Sequence, residues 1–96
     1  MTIGKKLEGT TLIIKVEGRL DTLTAPELEK EMQESIAGVT DLIFDFEALE
    51  YISSAGLRVL LRLMKQMKQR MVIRNVNELV SEVFEVTGFS DIFTIE

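Results

Sequence analysis

Apolar residues fall into short alternating runs separated by stretches at helical spacing, and that alternation of periods outlines the chain. Ile3–Leu7 reads as a first strand, followed by a turn at Glu8-Gly9-Thr10. Leu12, Ile14 and Val16 alternate with Ile13, Lys15 and Glu17, the pattern of a half-buried second strand. Thr24-Ala25-Pro26-Glu27 predicts a capping box with proline in the first turn. The helix it opens carries Ala25, Leu28, Met32 and Ile36 on one face and stops at Gly38. A third strand is expected at Leu42–Phe46, with Phe44 and Phe46 on one face and Ile43 on the other.

The most informative stretch is Leu-Glu-Tyr-Ile-Ser-Ser-Ala-Gly-Leu-Arg-Val-Leu-Leu at 49–61. A short apolar run ends in two serines, a small residue and a glycine, and a helix begins, with Leu57, Leu60, Leu61, Met64 and Met67 at its spacing. Ser53 or Ser54 then lies at a helix N-terminus, where a hydroxyl caps free N–H groups and an added phosphate meets favourable dipoles. On the turn alone, a plain serine cap is the simpler reading. Beyond it, Met71–Arg74 reads as a fourth strand. Asn77 caps a third helix bearing Leu79, Val80, Val83, Phe84 and Val86, which ends before Gly88. Phe93–Ile95 adds a fifth strand or covers the core. A hairpin followed by alternating strands and helices predicts an α/β fold, a mainly parallel sheet with one antiparallel edge strand. Right-handed crossovers would set the main helices on one sheet face. The serines then fall beyond a strand's carboxyl end, and the Asp21 loop beyond another, on one rim.

Ninety-six residues suit one domain spanning 1–96, and a 46% apolar content suits a globular core. With no histidine and no cysteine, the chain has no Ser-His-Asp triad, thiolate nucleophile, disulfide or ordinary zinc site. No Gly-x-Ser-x-Gly elbow, phosphate loop or Asp-x-Asp metal loop is present, so no catalytic residue, metal or cofactor is expected. The apolar run Leu12-Ile13-Ile14 stops at Lys15, too short for a membrane span or signal core, which suggests a cytoplasmic protein. A net charge of −5 argues against nucleic acid as the main partner. Charge is nevertheless segregated. Residues 21–50 hold nine acidic side chains and one basic, while residues 58–74 hold six basic and no acidic ones. Glu27, Glu31 and Glu34 stripe the first helix and Arg58, Arg62 and Lys65 the second, at the same spacing. Two solvated faces that complement each other where the helices meet is the simpler reading; docking of a partner on one stripe is the sharper one.

Tyr51-Ile52-Ser53-Ser54-Ala55-Gly56-Leu57 resembles the signature of the STAS family, the sulfate transporter and anti-sigma-factor antagonist domains. Gly18-Arg19-Leu20-Asp21 with Thr24-Ala25, and Thr87-Gly88-Phe89-Ser90-Asp91-Ile92-Phe93, resemble two further segments of that family, in the same order. The resemblance implies a right-handed β–α superhelix and a bacterial anti-sigma-factor antagonist without enzymatic activity. It places the family's phosphorylatable serine at Ser54, and departs from the usual pattern at Ser53, where the family commonly has Asp. It further implies a partner surface of Asp21, Thr22, Ser53, Ser54, Gly56, Leu57 and Arg58. The implied partners are an anti-sigma factor with serine kinase activity and a PP2C-type, metal-dependent serine phosphatase. Two alternatives stay open: an interaction module of another kinase–phosphatase pathway, and a binder of nucleotide or a small anion at the Ser53–Gly56 helix start.

Overall fold

The long second strand organises the molecule by changing its partner half-way. In the structure, a computed structural model describing residues 1–68 and 70–96, β1 (Thr2–Glu8) and β2 (Thr11–Leu20) form an antiparallel hairpin. Gly9 turns it with φ +63°, a conformation that costs a glycine little. The chain continues through α1 (Ala25–Ser35), β3 (Asp41–Asp45), β4 (Leu49–Ile52), α2 (Ser54–Gln66), β5 (Met71–Arg74) and α3 (Glu78–Val86). A single 3-10 turn at Phe89–Asp91 then leads into β6 (Thr94–Ile95). The sheet runs β1-β2-β3-β5-β6, and every pairing other than the hairpin is parallel. This is the expected mainly parallel α/β sheet with an antiparallel edge strand.

The short β4 differs from expectation. Leu49–Ile52 was legible as an apolar run but not as a strand of its own, and it pairs with the far half of β2 rather than extending the main order. β2 pairs with β3 through Lys15↔Asp45, then with β4 from Gly18↔Leu49 onward, with an irregular register between Gly18 and Arg19. Gly18 sits at φ +94° and donates its N–H to Ala48 O at 3.0 Å. A side chain there would be strained, so this glycine permits the change of partner.

One sheet face is packed. Leu12, Ile14 and Val16 of β2, Leu42 and Phe44 of β3, and Met71 and Ile73 of β5 join Leu28 and Met32 of α1, Leu60 and Leu63 of α2, and Val80 and Phe84 of α3 in one core. Aromatic pairs fill its ends, Phe44 with Phe46 at 5.5 Å and Phe84 with Phe93 edge-on at 5.7 Å. Across the opposite face Ile13, Ile43 and Val72 align in register and are only half-buried. Met64, Met67 and Met71 are all buried, so Met67 offers no adaptable surface. The apolar residues of α3 divide. Val80 and Phe84 are buried, whereas Leu79 is 51% and Val86 78% exposed. No helix among the described residues is long and apolar enough to cross a membrane.

Candidate functional site

The carboxyl ends of β2 and β4 lie side by side, which brings the Asp21 loop and the two serines onto one rim. Leu20 pairs with Ile52, and Ser53 N–H donates to Leu20 O at 2.9 Å, so the last residue of one strand anchors the start of α2. Ser53 is the N-cap, in extended conformation, and its hydroxyl accepts a long bond from Gly56 N at 3.5 Å. Ser54 is the first helical residue and is exposed. The division of labour follows from position: Ser53 faces the turn it caps, half-buried, while the Ser54 hydroxyl is open to solvent at the helix N-terminus.

Asp21 holds the neighbouring loop together. Its Oδ1 accepts from Leu23 N at 3.0 Å and Thr24 N at 3.1 Å, an Asx-type turn. The bond from Thr24 N–H, helped by that from Leu23 and by nearby Arg19, holds its carboxyl below the usual carboxylate range against partial desolvation. The expected capping box is not formed. The Thr24 hydroxyl accepts from Asp21 N and donates to Arg19 O, both at 2.8 Å, and makes no cap bond to α1. Asp21 Oδ1 takes the Thr24 N–H, the donor that Glu27 would bond in the box, and the threonine hydroxyl turns back to the strand end.

Two of the expected partner residues lie beneath the surface rather than on it. Leu57 is 3% exposed and belongs to the core, because α2 turns that face toward the sheet. Gly56 is buried too. A Cβ there would come within 2.8 Å of Leu20 Cγ, 2.9 Å of Ile52 Cγ1 and 3.1 Å of Leu20 O, so glycine is what lets the helix start sit against the two strand ends. Thr22, Ser54 and Arg58 are exposed, and Asp21 and Ser53 half-buried.

The rim also holds residues outside the expected set. The Arg19 guanidinium lies 4.6 Å over the Tyr51 ring and 4.0 Å from Asp21, a geometry that exists because Arg19 and Tyr51 are register partners of β2 and β4. Leu23, in the Asp21 loop, is 87% exposed. Its signal in the sequence is an apolar residue that fits neither the strand nor the helix period. Between the starts of α1 and α2 runs a shallow groove of about 250 Å³, with Ala25, Pro26, Ala55 and Val59 in its lining and Thr22 and Arg58 beside them. The helices are tied further along by Arg62–Glu29 at 2.6 Å and by reciprocal amide bonds between Gln33 and Gln66. Complementary neighbouring faces were the simpler expectation, and the contact is of that kind. Glu29 provides it rather than the Glu27–Glu31–Glu34 stripe, from which Glu31 turns to Lys5 of β1. Arg58 has no ion-pair partner among the described residues.

The described residues include no cluster of carboxylates able to hold a metal ion. An exposed hydroxyl at a helix start, an arginine on the same helix without an ion-pair partner among the described residues, and a hydrogen-bonded acidic loop thus lie together. The family model of the STAS domain matches residues 3–96. The chain belongs to the STAS-domain family. BtrV of Bordetella bronchiseptica, whose name marks it as a proposed anti-sigma factor antagonist, is 37% identical over 94 residues, covering 94% of this chain and 80% of that protein. The anti-sigma-B factor antagonist of Staphylococcus aureus is 30% identical over 86 residues, 85% of this chain and 80% of its own. The STAS fold of the chain matches SpoIIAA solved in its unphosphorylated form, with a TM-score of 0.84 at 22% identity over 99% of this chain and 88% of that one. It also matches the phosphorylated form of SpoIIAA, a Bacillus cell-fate determinant, at 0.75 and 21% identity over 99% and 91%.

Proposed function

We propose that this STAS protein is an anti-sigma-factor antagonist that works by partner switching, with Ser54 as its switch. The unmodified form binds an anti-sigma factor that is also a serine kinase, and so frees the sigma factor. Phosphate on Ser54 ends that binding, and a PP2C-type phosphatase restores it. The chain is substrate and binder in this cycle rather than catalyst. The observation that carries the reading is the exposed Ser54 hydroxyl at the first position of α2, on the same rim as the Asp21 loop. The names of the two relatives point the same way.

The physical chemistry of the rim fits such a cycle. A phosphate adds about −1.5 to −2 charge. At the first position of a helix it meets free N–H groups and the positive end of the dipole. Arg58 lies one turn on, free of other ion pairs among the described residues, and α2 has no acidic residue in its first turn. The fold therefore tolerates the group, while a partner docked on the rim has to desolvate or repel it. Asp21, Thr22, Ser53 and Arg58 surround the modified position and form the contact surface in this reading, joined by Arg19 and Leu23. Gly56 and Leu57 support it from below.

Capture with wild-type protein and with Ser54→Asp, each presented to the cognate kinase-type anti-sigma factor, tests the proposal. Wild type is expected to retain the factor and Ser54→Asp to lose it. Equal retention by both would remove Ser54 from the switch.

A further inference from the structure

The outer surface of α3 carries features that the rim does not use. Leu79, Val83 and Val86 are spaced i, i+4 and i+7 and form one stripe alongside the buried Val80 and Phe84, with Val83 packed against the core at its inner edge. Leu79 is 51% exposed and Val86 78%, with Val83 half-buried between them. Ile92, in the segment that follows, is 45% exposed. Beside this stripe the same helix presents Glu82, then Glu78 and Glu85, all exposed and without an ion-pair partner among the described residues. No lysine or arginine occurs after Arg74, so residues 75–96 contribute acidic charge only.

From this we infer that the α3 face is a second docking surface, one that receives a basic amphipathic helix of a partner protein. Contiguous exposed apolar surface marks interaction sites, whereas apolar residues scattered singly are ordinary. An apolar row bordered by unpaired carboxylates selects apolar anchors flanked by lysine or arginine. The same carboxylates disfavour an anionic membrane and a nucleic-acid backbone, both of which they repel. A second copy of this chain offers the basic stripe of Arg58, Arg62 and Lys65 but lacks matching exposed leucines on it, since Leu57, Leu60 and Leu63 are buried and Leu61 half-buried.

A fluorescently labelled peptide with leucines at i, i+4 and i+7 flanked by lysines serves as the probe, its binding read by anisotropy against the full chain. The Leu79→Ser/Val86→Ser double variant alters exposed side chains and is expected to melt as wild type does, while weakening the peptide about tenfold or more. Glu78→Gln/Glu82→Gln/Glu85→Gln should weaken it as well and flatten its salt dependence. Leu7→Ser, which removes another exposed leucine, and Ser54→Asp should leave affinity unchanged. Wild-type affinity in the Leu79/Val86 variant, or an equal loss in Leu7→Ser, overturns the inference. So does sedimentation showing that the unmodified chain self-associates and that the Leu79/Val86 variant does not, which would assign the face to a second copy.

Discussion

Gly56→Ala isolates what the glycine of the signature does. The added methyl would lie 2.8 Å from Leu20 Cγ and 2.9 Å from Ile52 Cγ1, with Leu20 O at 3.1 Å. Leu20 and Ile52 are fully buried, and both contacting carbons sit at or next to the branch points of their side chains, so neither swings aside freely. The backbone oxygen is fixed as well, since it accepts from Ser53 N. Overpacking of this kind costs about 1–3 kcal/mol. Replacing glycine by alanine inside a helix returns at most about 0.8–1.0 kcal/mol, less in the first turn. With two contacts under 3.0 Å the cost lies in the upper part of that range, and the balance is a loss of about 1–2 kcal/mol, which for a chain of this size lowers the melting temperature by about 4–16 °C. Calorimetry or a circular-dichroism melt reads that directly. An unchanged or raised melting temperature would refute the packing argument and return Gly56 to the partner surface.

Three further outcomes follow from the same geometry. Leu57→Ala removes a core side chain 3% exposed and should cost about 2–5 kcal/mol in denaturant unfolding; a loss of partner binding at unchanged stability would instead place Leu57 on the surface. Asn77→Ala deletes both a cap to Val80 N at 2.8 Å and a bond to Leu49 O at 2.7 Å, and should destabilise by about 1–2 kcal/mol, measured the same way. Asp21→Ala should lower the melting temperature at neutral pH. The folded Asp21 carboxyl titrates below its unfolded value, so its contribution is complete above about pH 4 and lost as pH falls further. The gap between variant and wild type should therefore narrow on acidification; a gap that widens below pH 4 would contradict the cause assigned to the shift.

Much of this architecture is written in local pattern. Met71–Arg74 and the Asn77 cap are where apolar alternation and capping chemistry place them, because each depends on a few adjacent residues. The strand Leu49–Ile52 was harder to read. Only its two ends are buried, and it becomes a strand by pairing with the half of β2 that Gly18 frees from β3. The Arg19–Tyr51 contact depends on that same pairing and so has no local signal. Thr24 shows the converse: a capping pattern is present, but Asp21 takes the Thr24 N–H that Glu27 would bond in a capping box, and the Thr24 hydroxyl turns to Arg19 O. The position of Ser54 was legible as a helix start, whereas the side of the helix on which Gly56 and Leu57 fall was not told by the motif. Helical spacing did carry it for Leu57, which repeats with Leu60 and Met64 and is buried with them.

The central claim is that phosphate on Ser54 changes affinity while leaving the fold intact. Its most direct test is to incubate the protein with its cognate kinase-type anti-sigma factor and ATP, locate the phosphate by mass spectrometry, and titrate modified and unmodified protein against that factor. Amide exchange across α2 is followed on the same samples. The account predicts phosphate on Ser54, a weakening of at least about tenfold, or 1.4 kcal/mol, and α2 protection equal to that of the unmodified form. Phosphate found only on Ser53, unchanged affinity, or an unfolded α2 would contradict it.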